Sequence, residues 1–74
     1  MNTTPIASSV EYVSTCANDY TERVNLPSLT ITGYDHVDVV NYKLKRAADH
    51  ARKHPGVPFS ARLLAAYEHW RSQS

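Results

Sequence analysis

Apolar residues in the first third of the chain recur at helical spacing. Thr4 followed by Pro5 is typical of a helix start, because proline at the first helical position lacks only an amide that would have no partner there. Pro27 disfavours helical geometry in the residue before it. We therefore predict a first helix over about residues 5–25, although its β-branched and hydroxyl residues would also tolerate a strand. Its apolar positions form a narrow seam of the kind that packs helices together: Ile6, Val10, Val13, Ala17, Tyr20 and Val24.

Residues 27–33 alternate polar and apolar side chains, which is a strand pattern of marginal length. A single strand has no partner within this chain, so three alternatives stay open. The segment pairs edge to edge between two copies, forms a hairpin arm against the N-terminal part, or is an extended linker that buries Leu29 and Ile31 on the helices.

Two helix-start signatures follow in the second half of the chain. Asp35 and Ser60 are each placed to accept hydrogen bonds from the amides of a first helical turn. The aromatic residue before each cap is expected to pack on the aliphatic residue five positions later. These two pairs are Tyr34 with Val39 and Phe59 with Leu64.

The helices that these signatures begin span about residues 36–53 and 61–72. The second ends at Pro55 and Gly56 and carries an apolar stripe formed by Val37, Val40, Leu44, Ala47, Ala48 and Ala51. The third supplies the larger side chains Leu63, Leu64, Ala66, Tyr67 and Trp70. The short connection predicts that these two helices form an antiparallel hairpin. The expected fold is one all-α domain over residues 1–74, with three helices and a short extended segment before the second.

A chain of 74 residues with 42% hydrophobic residues can build only a thin core, since a domain of this size buries roughly 60% of its unfolded surface. A partner chain or self-association is therefore a reasonable expectation, and a monomer stays open as the alternative. A homodimer would use the seam of the first helix or the extended segment.

Cys16 is the single cysteine, so it forms no disulfide within the chain. This favours a reducing compartment, and we expect a cytoplasmic location. No apolar run reaches the length of a signal-peptide core or a membrane span. We therefore expect a soluble, unprocessed protein with no membrane partner.

Charge is distributed unevenly although the net charge is only +1. Residues 1–42 carry five acidic residues against Arg23, whereas residues 43–74 carry seven basic residues against two acidic ones. A basic flank of the second helix is a candidate nucleic-acid surface, although a solvated helix face explains it equally well. The flank consists of Lys43, Lys45, Arg46, Arg52 and Lys53. Arg62 of the third helix completes the candidate set.

Candidates for metal or catalytic chemistry have plainer explanations. His50 and His54 stand one helical turn apart, which suits a shared metal ion, but no third ligand lies nearby in sequence. A lone cysteine such as Cys16 is more often a small buried hydrophobe than a reactive thiolate. We therefore predict no enzyme activity, no cofactor and no metal.

Aromatic residues beside arginines are the best candidates for a protein-binding surface, because tyrosine, tryptophan and arginine are enriched at interface hot spots. The candidate partner-binding residues are Tyr42, Arg46, Tyr67, Trp70 and Arg71. The sequence favours a small non-enzymatic regulatory or inhibitory protein, and its size suggests an accessory protein of a phage or mobile element. The alternative is a DNA- or RNA-binding regulator that uses the basic flank.

Overall fold

Three helices make up most of the region that the computed structural model describes, residues 8–73, with side chains from residue 10 onward. They are α1 (Ser8–Arg23), α2 (Val37–Lys53) and α3 (Ser60–Gln73), and one turn of 3-10 helix, Pro27–Leu29, lies between α1 and α2. Each α-helix packs against the other two. The predicted small all-α domain is confirmed. The predicted helix start at Thr4 and Pro5 lies outside the described residues.

The core lies where the three helices meet. The largest apolar side chains that are fully buried are Tyr20 from α1, Leu44 from α2 and Leu63 from α3. Three buried alanines of α2 let the neighbouring helices approach closely, and these larger side chains fill the space between them. The remaining buried apolar residues are Val13, Cys16, Ala17, Ile31, Ala47, Ala48, Ala51, Ala66 and Tyr67. None of the helices in residues 8–73 combines the length and hydrophobicity needed to cross a lipid bilayer.

The apolar seam of α1 belongs to this core. Val13, Ala17 and Tyr20 have no exposed surface within a single chain, whereas Val10 is 38% exposed. Because the other helices already cover these three side chains, they are not available for packing against a second copy in this fold, and the homodimer itself stays a prediction. Ile6 lies outside the described residues.

The end of α1 is set by Asn25 before the chain reaches Pro27. Asn25 has a positive φ of 59°, which asparagine tolerates better than most residues. The amide of Leu26 donates to the carbonyl of Thr21 at 2.8 Å, and the amide of Asn25 donates to the carbonyl of Glu22 at 3.3 Å. These two bonds form a Schellman motif, which turns the chain back toward the helices.

Residues 27–33 form a linker, and the described residues contain no strand for them to pair with. Pro27 opens the 3-10 turn, in which the amide of Leu29 donates to the carbonyl of Leu26 at 3.0 Å. The prediction of extended backbone at residues 27–29 is therefore wrong. The third alternative predicted that a linker buries Leu29 and Ile31 on the helices. This burial is confirmed, because both residues contact the core and Ile31 is only 9% exposed.

The start of α2 differs from the predicted cap. His36 is the N-cap, and its Nδ1 accepts from the amide of Asp38 at 3.2 Å. Asp35 instead accepts from the amide of Thr32 at 3.0 Å and from the ammonium group of Lys43 at 2.9 Å. The prediction of Asp35 as the cap is thus wrong, because this carboxylate closes the preceding turn.

The exposed side chains around the start of α2 show that one predicted contact is absent and that the apolar stripe begins later than predicted. Tyr34 is 99% exposed, so it does not pack on Val39, which is itself 39% exposed. Val37 is 60% exposed and lies outside the buried stripe, which begins with the partly buried Val40. The predicted contact between Tyr34 and Val39 is wrong.

Ser60 begins α3 without capping it. Its hydroxyl donates to the carbonyl of Val57 at 2.8 Å and lies 3.0 Å from the carbonyl oxygen of Pro55. The first helical amide, that of Leu63, pairs with the carbonyl of Phe59, which has a φ of 73°. Ser60 therefore stabilises the turn between α2 and α3, and the prediction that it accepts from first-turn amides is wrong.

Candidate interaction surface

An open groove of about 410 Å³ lies between α2 and the segment that follows α1. The segment forms one wall and α2 forms the other. We call this site the α2 groove, and its lining residues are Leu26, Ser28, Leu29, Tyr42, Arg46, Asp49, His50 and Lys53.

Four of the α2 residues in this groove follow helical spacing. Tyr42, Arg46, Asp49 and Lys53 are separated by steps of four, three and four residues. At 1.5 Å per residue they extend over roughly 16 Å of the helix. They lie away from the buried stripe that begins at Val40, so α2 presents one face to the core and another to the groove.

Tyr42 and Arg46 form the most prominent pair in the groove. Tyr42 is 59% exposed, although its ring is large and mostly apolar. The guanidinium carbon of Arg46 lies 5.9 Å from the centroid of this ring, within the range of a cation–π contact. The structure thus brings together two of the five predicted partner-binding residues on an accessible surface.

The charges of the groove are not balanced. Asp49 forms an ion pair with Arg52 at 2.8 Å, and Arg52 lies outside the lining. Arg46 and Lys53 form no ion pair with any carboxylate in residues 10–73. The groove therefore presents two uncompensated positive charges beside one compensated carboxylate.

His50 connects the groove to the core. Its Nδ1 lies 2.5 Å from the hydroxyl of the buried Tyr20, and its ring stacks on that of His54 with centroids 4.3 Å apart. Burial lowers the pKa of His50, and the positive charges of His54 and Lys53 lower it further. Burial also raises the pKa of Tyr20. Both groups are therefore neutral near pH 7, and one hydrogen bond joins the phenol to the imidazole.

The histidine pair is close in space, but its geometry is that of a stack. The two rings are inclined by only 7°, and Nδ1 of His54 lies 3.2 Å from the carbonyl oxygen of His50. Within residues 10–73, no group of three or more histidine, cysteine, aspartate or glutamate side chains is arranged to hold a metal ion. Cys16 is fully buried in the core.

The other predicted partner-binding residues lie on α3 and do not line the groove. Tyr67 is 8% exposed and belongs to the core. Its ring centroid is 5.8 Å from that of the partly buried Trp70, and the guanidinium carbon of Arg71 is 5.7 Å from the Tyr67 ring. The predicted set thus divides into an exposed pair on α2 and a largely packed cluster on α3.

Half of the predicted nucleic-acid residues are engaged with carboxylates. Lys43 pairs with Asp35 at 2.9 Å, Arg52 with Asp49, and Arg62 with Asp19 at 3.4 Å. The remaining three, which form no ion pair in the described part of the chain, are Lys45, Arg46 and Lys53.

Sequence reasoning did not include the leucine wall of the groove. Leu26 and Leu29 flank the proline turn, and their contribution depends on the linker folding back along α2. The Pro27 turn signal alone marks a change of direction without showing where the chain goes next.

No protein-family model, curated protein or solved structure shows significant similarity to this chain.

Proposed function

We propose that this chain is a non-enzymatic protein that binds another protein through the α2 groove, and so acts as a small regulator or inhibitor. The observation that carries this proposal is the exposed pair of Tyr42 and Arg46 next to an apolar wall. Tyrosine and arginine are the residue types that most often supply binding energy at protein interfaces. Leu26 and Leu29 add apolar surface that a partner would remove from water.

Binding at this groove would follow the usual anatomy of a protein interface. Tyr42 and the two leucines form an apolar centre, and the charged ends of Arg46 and Lys53 form its rim. The chain's small size suits an accessory protein of a phage or mobile element, and the single Cys16 suits the cytoplasm. Both of these assignments stay predictions from the sequence.

Nucleic acid is the second candidate partner, because Lys45, Arg46 and Lys53 all lie on α2 without a paired carboxylate among the described residues. Leu26 and Leu29 line the same groove, and a phosphate backbone would leave their apolar surface in contact with water. We therefore favour a protein partner.

The test is affinity capture from a lysate of the source organism, with the wild-type chain and two matched tyrosine variants. Tyr42→Ala removes the groove aromatic, whereas Tyr34→Ala removes a tyrosine that is 99% exposed and outside the groove. We expect a protein that is retained by wild type and by Tyr34→Ala, lost with Tyr42→Ala, and insensitive to nuclease.

Salt separates the two candidate partners. A phosphate-dominated complex weakens steeply and log-linearly as salt rises, whereas an interface anchored by aromatic residues changes far less. Capture that depends on nucleic acid, or that is equal for both tyrosine variants, would contradict the proposal.

A further inference from the structure

We propose that the α2 groove accepts an acidic amphipathic helix of the partner protein, which lies along α2 between this helix and the leucine wall. This inference rests on the proposed function and specifies the chemistry of the partner segment. Three features of the groove carry it: its spacing, its charge and its apolar wall.

The spacing favours a helical occupant. Tyr42, Arg46, Asp49 and Lys53 alternate steps of four and three residues, as do the positions through which one helix packs along another. Their span of roughly 16 Å corresponds to about three helical turns. A partner helix of that length would contact all four side chains in one continuous face.

The charge favours an acidic occupant. Arg46 and Lys53 are seven residues apart, or roughly 10.5 Å along the helix axis, and both lack an ion-pair partner within residues 10–73. Carboxylates placed seven residues apart on a facing helix would match this separation. Asp49 does not oppose them strongly, because Arg52 already compensates its charge at 2.8 Å.

The leucine wall favours a helix with an apolar stripe. Leu26 and Leu29 border the groove on the side opposite α2, and Tyr42 is 59% exposed within it. Removing apolar surface from water favours binding. An amphipathic helix would place its apolar residues on this wall and its carboxylates toward the two cations.

The experiment selects binders from a display library of 18-residue helical peptides with one randomised face, with the purified full chain as the target. We expect the selected peptides to carry apolar residues and a pair of aspartates or glutamates seven positions apart. Amide shifts of the 15N-labelled chain should change at Leu26, Ser28 and Leu29 and at residues 42–53 when a selected peptide binds.

Charge variants supply the matched control. Arg46→Glu alters a groove cation, whereas Lys45→Glu alters the adjacent exposed cation, which does not line the groove. We expect Arg46→Glu to weaken peptide binding roughly tenfold and Lys45→Glu to change it less than about twofold. A peptide whose facing glutamate is changed to lysine should regain affinity for the Arg46→Glu variant.

Selected peptides that are neutral or basic, that map elsewhere on the chain, or that respond equally to both charge variants would overturn the inference. Failure to enrich any peptide would also overturn it. The proposed function is judged separately, because capture of a cellular protein that depends on Tyr42 would still support it if the acidic-helix inference failed.

Discussion

The side chain of Asn18 forms two hydrogen bonds with the main chain of Ile31. Its Oδ1 accepts from the Ile31 amide at 2.7 Å, and its Nδ2 donates to the Ile31 carbonyl at 2.9 Å. One side chain of α1 thus supplies the linker with the two bonds that a neighbouring strand would otherwise provide. The same attachment holds the end of the segment that carries the leucine wall of the α2 groove.

Asn18→Ala should destabilise the fold by about 1–3 kcal/mol, because it leaves two partly buried main-chain groups without their partner. Asn41→Ala is the matched control, since Asn41 is exposed on α2, and it should change the free energy of unfolding by less than about 0.5 kcal/mol. Urea unfolding measures both values. Equal stabilities of the two variants would contradict the role of Asn18.

Tyr20→Phe should cost about 1 kcal/mol of stability, because it deletes the hydroxyl that bonds to His50 while keeping the buried ring. Tyr34→Phe removes a hydroxyl from a side chain that is 99% exposed and should have almost no effect. Thermal unfolding of the two variants at pH 7.5 makes the comparison.

His50 should make stability depend on pH near neutrality. The folded state holds its pKa below the usual 6.5, so the unfolded chain binds the proton more readily. The stabilising contribution is therefore fully present well above pH 6.5 and is lost as the pH falls below that value.

An NMR titration of the imidazole signals measures the pKa of His50 directly. His54→Gln should raise this pKa, because the charge of His54 helps to lower it. His69→Gln, at an exposed position on α3, serves as the control and should leave it unchanged. A pKa of His50 above 6.5 in the wild-type chain would be inconsistent with the observed burial.

Asp35→Asn should lower the melting temperature, because it removes the ion pair with Lys43 at 2.9 Å. The pKa of Asp35 is held below its usual 3.8, mainly by the hydrogen bond from the Thr32 amide and next by the hydrogen bond from Lys43. Its stabilising contribution is therefore present above pH 3.8 and is lost as the pH falls through the lower folded value.

The melting temperatures of wild type and Asp35→Asn should accordingly converge in strong acid. Asp38→Asn is the control, since this side chain is 87% exposed, and it should change the melting temperature much less. A difference between wild type and Asp35→Asn that persists unchanged to low pH would rule out the charge as its source.

Leu44→Ala and Val37→Ala test which residues of the apolar stripe form the core. Leu44 is fully buried, and its truncation should cost about 2–5 kcal/mol. Val37 is 60% exposed, and its truncation should cost less than about 0.5 kcal/mol. Chemical denaturation gives both values, and a similar cost for the two would place Val37 in the core after all.

The sequence by itself predicted the three helices and most of their buried faces, because local spacing determines which side of a helix is apolar. Leu44, Ala47, Ala48 and Ala51 recur at helical intervals and are all buried. The proline and glycine signals also located the connections. Tyr42 and Arg46 were both predicted as partner-binding residues, and they lie together because residues four apart on a helix are neighbours.

The tertiary structure decided how the ends of the helices are completed and where the groove lies. Asp35 has the sequence position of a cap, but its carboxylate accepts hydrogen bonds from the Thr32 amide and the Lys43 ammonium group instead of from the amides of α2. Leu26 and Leu29 form a wall of the groove because the linker folds back along α2, where Asn18, thirteen residues before Ile31, holds its end. Hydrogen bonds and packing between residues distant in sequence leave no periodic pattern, so only the folded chain reveals them.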